Sequence, residues 1–222
     1  MYPDGEVYEK LYAAYVDGRD PGELIDLAGD VKDKVVWDLC CGTGKLSIEC
    51  IKRMASSVTA VDVAYPMMKP LSKSFSELPK AKQKRLKSAY TTVQGFLSCR
   101  YHSPDFVFCR QAVNYWLNKD MAKLLAENMK PGSVFVFNTF HSKPMRKPKT
   151  KEYTHDDRWF IEVSWLVGDT VHHVQVRDGM EPHLTSFRYI SPKEYERILG
   201  PYFAIGLLRK GNTSLYRCVR RA

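Results

Sequence analysis

Short apolar runs alternate with helical periods over the first 140 residues of the chain. The apolar runs have the length and β-branched composition of strands that are buried on both faces, and they lie at 34–39, 57–61, 105–109 and 133–137. Apolar residues at spacings of three and four predict helices at 6–16, 21–27, 45–54, 65–75 and 119–129. This alternation predicts an α/β fold, with helices on both faces of a parallel sheet.

The pattern changes after residue 140. Apolar and polar residues alternate from Trp159 to Leu166, and the short link at 167–170 predicts a hairpin, which a third strand at 185–190 joins. A helix that opens with "SPKEYERIL" and a last strand, "SLYRCVR", complete the pattern. The region after residue 140 is therefore expected to depart from the parallel sheet.

Length and composition favour a single domain over residues 1–222, or one domain with an insertion. The chain has 222 residues, of which 44% are hydrophobic, enough to bury a core. Its six cysteines lack metal-ligand spacing and two of them are adjacent, so we expect no metal site and no disulfide framework. The polar N-terminus and the lack of a membrane-length apolar run favour a soluble, unprocessed, cytoplasmic protein. The pattern does not set an oligomeric state.

The formal net charge of +9 makes nucleic acid a possible partner. Much of the excess lies in two clusters that contain or adjoin prolines, at 80–87 and 143–151. Both are interpreted as solvated connecting segments, since charge runs of this kind bear on association and not on fold.

The stretch "VVWDLCCGTGKLS" passes from a strand through two glycines into a helix. A tight turn of this kind, with Asp38, Gly42 and Gly44, allows a ligand to approach the backbone at the carboxyl end of a strand. Asp62 ends the next strand, eighteen residues after Gly44, where a carboxylate accepts hydrogen bonds from ribose hydroxyls. A nucleoside-containing ligand is favoured. The alternative is a glycine pair that only packs helix against strand, and the third glycine of the dinucleotide pattern is missing.

These segments resemble class I S-adenosylmethionine-dependent methyltransferases. "VVWDLCCGTGKLS" is similar to their first motif, "VTAVDVAYPMM" to the second-strand motif and "PDFVFCRQAVNYW" to the fourth-strand motif. The resemblance implies a Rossmann-like, mostly parallel seven-stranded sheet that binds S-adenosylmethionine and releases S-adenosylhomocysteine. It implies cofactor contacts at Tyr15, Asp38, Cys40, Gly42, Gly44, Asp62, Val63, Met67, Arg110, Gln111 and Val113.

The third strand fits the family pattern less well. Family members commonly place an acidic residue there for the adenine amino group, whereas "LKSAYTTVQGFLS" offers Thr92, a weaker acceptor, followed by Val93. Leu86, Tyr90 and Val93 also share a helical face with Leu97, which leaves open a displaced strand.

Methyl transfer from a sulfonium is an in-line displacement, which requires alignment and exclusion of water and no covalent nucleophile. Residues 141–190 resemble the antiparallel flap that, in small-molecule N-methyltransferases, follows the fifth strand and covers the acceptor. We therefore expect transfer to an N or O atom of a small molecule. His141 is the candidate catalytic residue, and the candidate acceptor contacts are Asn114, Tyr115, Asn138, Tyr153, Glu162, His173 and Arg188, with His172 as a further polar group.

Two other functions remain open. An RNA or DNA methyltransferase is supported by the basic charge and by Tyr115 and Trp116, which could stack on a base. Against it, "CRQAVNYW" lacks the proline-containing signature typical of enzymes that methylate base amino groups. A non-catalytic binding module on the same fold is the second alternative, although the intact glycine turn argues against it.

Overall fold

The structure is a computed structural model and describes residues 4–6, 9, 21–99, 102–140, 146–155, 158–177, 179, 181–210 and 213–222. Helices α1 to α7 are Pro21–Ala28, Lys45–Lys52, Lys69–Ser76, Lys80–Gln83, Val93–Ser98, Lys119–Asn128 and Pro192–Leu199, with 3₁₀ turns at Tyr65–Met68 and Val113–Tyr115. Strands β1 to β5 are Val35–Leu39, Ser57–Asp62, Leu86–Tyr90, Phe106–Arg110 and Val134–Phe140. Strands β6 to β11 are Lys149–His155, Arg158–Val167, Thr170–Arg177, His183–Arg188, Phe203–Lys210 and Thr213–Arg220.

The main sheet has seven strands in the order β3-β2-β1-β4-β5-β11-β10. Neighbouring strands from β3 to β5 are parallel, whereas β11 is antiparallel to both β5 and β10. This confirms the predicted Rossmann-like, mostly parallel seven-stranded sheet. The strand order reverses between β1 and β4, which is where α/β sheets of this kind bind ligands beyond their carboxyl ends.

Alternate residues of the central strands enter two separate cores, one on each face of the sheet. In β1, Val36 belongs to the core beneath α1 and α2, whereas Trp37 and Leu39 belong to the core beneath α5 to α7. Strands buried on both faces need a nearly continuous apolar sequence, as the runs predicted. Asp38 is therefore an exception inside a buried strand, which indicates that its carboxylate has a specific partner.

The third strand is in place, and the helical alternative for it is wrong. Leu86 pairs with Val58 and Tyr90 with Asp62, so β3 is hydrogen-bonded to β2 along its length. Helix α5 begins at Val93. The helical spacing seen in the sequence runs across two elements, because the short strand β3 is followed closely by the short helix α5. The predicted helix at 6–16 lies mostly outside the described residues.

Strands β6 to β9 form a separate antiparallel sheet, with its strands in chain order, between β5 and α7. We call residues 149–188 the flap. The hairpin and third strand of the sequence analysis are present, with β6 as a fourth strand. The interpretation of 143–151 as a connecting segment is thus wrong for Lys149 and Lys151, which pair with Ser164 and Glu162 of β7.

Strand β10 was not assigned from the sequence. It pairs only with β11 at the edge of the sheet and contains Gly206, so the sequence has no clear strand period there. Among the helices of the described residues, none has both the length and the apolar character needed to cross a membrane.

Candidate functional site

The carboxyl ends of β1 and β4 lie side by side and both turn abruptly. Cys40 and Gln111, the residues that follow these two strands, have positive φ angles of 57° and 58°. A left-handed conformation costs a non-glycine residue about 1 kcal/mol, so other contacts must hold it. The Gln111 N–H donates to Oδ1 of buried Asn138 over 2.9 Å, and the Cys41 N–H donates to the Val61 carbonyl over 2.9 Å. We call residues 38–44, 62–67 and 110–113 the floor of the site.

Asp62, at the end of β2, organises the floor through its carboxylate. Oδ2 accepts the Gly42 N–H and Oδ1 accepts the Ala64 N–H, each over 2.8 Å. A carboxylate oxygen can accept two hydrogen bonds, so Asp62 retains acceptor capacity for two neighbouring hydroxyls. This arrangement fits the ribose of a nucleoside cofactor.

Gly42 and Gly44 both have positive φ but serve different purposes. Among the described residues, a Cβ built on Gly42 would meet only Met67 Cε, at 3.5 Å, so this part of the structure leaves the space above the glycine open. A Cβ on Gly44 would lie 2.4 to 2.9 Å from three carbons of Leu71. Close packing against Leu71 of α3 therefore requires a glycine at position 44, while Gly42 leaves room for a ligand close to the backbone.

Asp38 is 1% exposed, and its Oδ2 accepts the Ser47 hydroxyl over 2.6 Å. Burial raises the pKa of Asp38 to about 6, against the opposing effects of the Ser47 hydrogen bond and the Arg110 charge. The carboxylate therefore titrates close to the physiological range. This makes the floor sensitive to pH if the ionised form binds a ligand ammonium.

The thiols of the floor are poor nucleophiles. The pKa of Cys40 is raised mainly by a hydrogen bond with Cys109 and next by burial. Burial raises the pKa of Cys41. Both side chains therefore stay neutral at physiological pH, which disfavours a covalent thiolate mechanism.

The adenine side of the predicted cofactor site combines buried and exposed surfaces. Met67 and Val93 are buried, and Val63 is 47% exposed. Exposed Tyr65 and Tyr90 contact each other edge to face, 5.9 Å between ring centroids, at the ends of β2 and β3. The predicted adenine contact Thr92 instead has its hydroxyl engaged as the N-cap of α5, where it accepts the Gly95 N–H over 3.0 Å.

The turn after β4 carries the flap. Tyr115 packs against Phe187 of β9, 5.8 Å between ring centroids, and the Asn114 amide donates to the Arg188 carbonyl over 2.7 Å. The Arg188 guanidinium binds Asp169 and Glu194. In this structure Asn114 and Arg188 therefore attach the flap, and Asn138 supports Gln111.

Trp116 is partly buried and packs against the core. Its ring contacts Phe135, and its Nε1 donates to the Cys109 sulfur over 3.4 Å. These contacts weaken the support that Trp116 gives to the nucleic-acid alternative, whereas Tyr115 is 42% exposed.

One face of the flap meets the turn after β4, since it carries Phe187, which contacts Tyr115. We call it the inner face, and in β7 and β8 it consists of Phe160, Glu162, Ser164, Leu166, Val171, His173, Gln175 and Arg177. Glu162 Oε1 accepts the Gln175 amide over 3.0 Å and lies 4.0 Å from Nε2 of His173. Burial raises the pKa of Glu162, and the Gln175 hydrogen bond opposes the shift.

The other candidates fall elsewhere. Tyr15 and His141 lie outside the described residues, and Tyr153 is described only as a member of β6, opposite Phe160. His172 lies on the opposite face of the flap, stacked on Trp165.

Sequence reasoning missed several residues that shape the site, namely Ser47, Thr139, Gln175, Phe187 and Tyr195. Ser47 could have been found, because it lies one helical turn into α2, on the side of the helix that faces Asp38. The others are brought to the site by β5, the flap and α7, and no local sequence signal connects them.

Comparison with known proteins supports this geometry. The profile of a methyltransferase domain family matches residues 36–131. Among curated protein sequences, none matches the chain significantly.

Solved structures share the fold over nearly the whole chain. An S-adenosylmethionine-dependent methyltransferase from Clostridium acetobutylicum has a TM-score of 0.72 at 18% identity and covers 98% of this chain and 97% of its own. CalS10, an amino pentose methyltransferase from Micromonospora echinaspora with S-adenosylmethionine bound, has a TM-score of 0.71 at 16% identity, covering 99% and 98%. The glycopeptide N-methyltransferase MtfA with S-adenosylhomocysteine bound has a TM-score of 0.63 at 16% identity, covering 99% and 100%.

Proposed function

We propose that this chain, which carries a methyltransferase domain at residues 36–131 and has the fold of S-adenosylmethionine-dependent methyltransferases, methylates an amine nitrogen of a small molecule. The acceptor would lie between the floor and the inner face of the flap. We treat residues 1–222 as one domain in which 141–190 are the substrate-covering insertion. The structural neighbours named for an amino pentose and for glycopeptide N-methylation support the choice of nitrogen.

The observation that carries the proposal is the pairing of Asp62 with Gly42. The carboxylate holds the Gly42 N–H at 2.8 Å, and within the described part of the chain Met67 alone approaches the space above Gly42. The residues fit S-adenosylmethionine: Asp62 would bind the ribose, and Asp38 and the backbone of Cys40 would hold the methionine end. When bound, that cofactor supplies a methyl group on a positively charged sulfur.

The protein contributes alignment and exclusion of water, because the floor thiols are neutral. An amine acceptor must also be unprotonated before its lone pair attacks carbon. Near neutral pH most aliphatic amines are ammonium ions, so a nearby proton acceptor is useful.

Glu162 and His173 are the groups we propose for this step. Both lie on the inner face and are partly buried, with side-chain exposures of 15% and 23%. A carboxylate attracts an ammonium group, and its proton can pass to the neighbouring imidazole or to water. The Gln175 amide holds Glu162 in place beside His173.

A small acceptor is favoured over nucleic acid. The flap stands over the end of β4 through Asn114 and Tyr115, which narrows access from that side. In addition, Trp116 packs against the core. A nucleic-acid substrate would need an open, basic groove beside the floor.

The test is titration calorimetry with S-adenosylhomocysteine, followed by methyl-transfer assays with S-adenosylmethionine. The acceptor panel is a set of amino sugars, each matched with the hydroxyl sugar of the same skeleton. We expect S-adenosylhomocysteine to bind with a Kd on the order of micromolar. We expect methylation of at least one amine and of none of the matched alcohols.

Failure of S-adenosylhomocysteine to bind would reject the cofactor assignment. If S-adenosylhomocysteine binds but RNA or DNA is methylated and amines are not, the cofactor assignment stands and the acceptor is nucleic acid. If an amine is methylated, Glu162→Gln should lower kcat/KM for that amine without changing the Kd of S-adenosylhomocysteine. An unchanged kcat/KM would remove Glu162 from the acceptor site.

A further inference from the structure

The side chain of Asn114 joins four separate parts of the fold. Its Oδ1 accepts the Thr139 hydroxyl of β5 over 2.9 Å and the Tyr195 hydroxyl of α7 over 3.0 Å. Its Nδ2 donates to the main-chain carbonyl of Arg188, at the end of β9, over 2.7 Å. One amide thus connects the turn at 113–115 with the main sheet, a helix and the flap.

The chemistry of these partners fixes the orientation of the amide. Thr139 and Tyr195 are 8% and 0% exposed, so their hydroxyl hydrogens need an acceptor within the protein. The Arg188 carbonyl accepts and does not donate. Because the amide oxygen must face the two hydroxyls, its NH₂ group necessarily faces the flap.

We propose that Asn114 is a positioning residue that seats the flap on the floor of the site. The seat consists of the Asn114–Arg188 hydrogen bond and the adjacent contact of Tyr115 with Phe187. Outside it, the Arg188 guanidinium braces the same strand end through Asp169 and Glu194. Asn114 was a candidate acceptor contact, and the proposal gives its amide a different role.

The seat is continuous with the floor. Gln111, in a left-handed conformation held by Asn138, lies three residues before Asn114. A ligand that orders residues 110–113 would therefore also steady the flap above the acceptor. This part of the inference rests on the proposed function, whereas the seat itself does not.

The test compares Asn114→Asp with wild type by hydrogen–deuterium exchange of β9 and β8. The substitution keeps an oxygen for Thr139 and Tyr195 and replaces the NH₂ donor with an oxygen that repels the Arg188 carbonyl. At pH 8 we expect the flap amides to exchange about tenfold faster than in wild type, since a lost hydrogen bond with an unpaired buried acceptor is worth a factor of this order. Tyr195→Phe is the matched control. It removes one hydroxyl but keeps the donor to Arg188, so we expect the flap amides to exchange at most about threefold faster than in wild type.

The pH dependence separates positioning from general damage. Once the introduced carboxyl is protonated, the exchange ratio of Asn114→Asp to wild type, each measured at the same pH, should return towards one, because a protonated carboxyl has an O–H donor. Loss of packing would show no such rescue.

Calorimetry with S-adenosylhomocysteine completes the design. We expect its Kd to stay within about twofold of wild type in Asn114→Asp, because the floor keeps its own hydrogen bonds. If wild type does not bind S-adenosylhomocysteine, the proposed function fails while the exchange data still test the seat. Flap exchange equal to wild type at pH 8, or acceleration that persists once the introduced carboxyl is protonated, would overturn the seat.

Discussion

The floor and the flap are built by different kinds of interaction. In the floor, Asp62 binds main-chain N–H groups, and Cys40 and Gln111 turn the backbone through left-handed conformations. In the flap, strand pairing sets the frame, and the chemistry lies in side chains that meet across strands, such as Glu162 and Gln175. Main-chain geometry tolerates few substitutions, whereas side chains on a pleated face exchange readily. The comparison therefore separates a floor whose main-chain geometry few substitutions would preserve from a flap whose side chains can change without altering its frame.

Attachment differs between the regions as well. The floor belongs to the central sheet and shares both of its cores. Within the described part of the chain, contacts of Asn114, Tyr115 and Arg188 connect the end of the flap to the main body. We therefore expect substitutions in the floor to affect cofactor affinity or folding, and substitutions in the flap to affect the acceptor.

The largest effect should come from Asp62→Ala. It removes the acceptor for the Gly42 and Ala64 N–H groups and for two ribose hydroxyls, and hydrogen bonds to a charged group are worth about 1.5–3 kcal/mol each. We expect S-adenosylhomocysteine to bind at least about 100-fold more weakly by calorimetry. Asp105→Ala is the matched control, because Asp105 also accepts a main-chain N–H, that of Val35, but at the amino ends of β1 and β4. Equal binding by Asp62→Ala and wild type would contradict the role of the floor.

The two glycines sharpen the comparison within the floor itself. Gly44→Ala should lower the free energy of unfolding by about 3 kcal/mol, because its Cβ would overlap Leu71 at a positive φ. Gly42→Ala should cost only about 1 kcal/mol in folding. Its methyl group would stand in the ligand space, however, so we expect about tenfold weaker binding of S-adenosylhomocysteine. Urea denaturation and calorimetry measure the two effects, and the reverse assignment would show Gly44 to be the ligand-facing glycine.

The pH dependence of cofactor binding tests Asp38. Its pKa of about 6 means that the carboxyl is ionised above this pH and protonates below it. If the ionised form binds the ligand ammonium, the affinity for S-adenosylhomocysteine should be flat above pH 7 and fall by up to about tenfold per pH unit below 6. Asp38→Asn should remove this slope, and a slope that persists in the variant belongs to another group.

The same carboxyl affects folding with the opposite sign. The pKa of Asp38 is raised in the folded state from an ordinary value of 3.8, so the native protein binds this proton more tightly than the unfolded chain does. The contribution of Asp38 to stability therefore increases as pH falls from about 6 towards 4. Urea denaturation of wild type and Asp38→Asn across this range should show the difference.

The smallest effect should come from the basic clusters. Lys151 pairs in register with Glu162, so a test of surface charge leaves it unchanged. Replacing Lys80, Lys84 and Lys147 by Gln should change kcat/KM for a small acceptor by less than about twofold, because exposed charges are screened at physiological salt. Fluorescence anisotropy with a single-stranded RNA should show no binding. Tight RNA binding with a steep salt dependence that the triple variant flattens would revive the nucleic-acid alternative.

Local sequence was sufficient for the elements that one short segment specifies. The turn from Asp38 to Gly44 and the position of Asp62 after its strand follow from apolar runs and glycine spacing, and the paired hydrogen bond between Asp62 and Gly42 bears out their proximity. The sequence could not distinguish the two glycines, because their difference depends on Leu71 and Met67, which approach from another helix and turn.

By itself the sequence determined the α/β alternation, the strand ends that carry Asp38 and Asp62, and the antiparallel character of the region after β5, since each depends on residue order within one segment. Only the tertiary structure decided that Trp116 packs against the core and that Asn114 holds the flap. A polar side chain satisfies its hydrogen bonds with whatever partners the fold brings within reach. Those of Asn114 lie 25, 74 and 81 residues away along the chain.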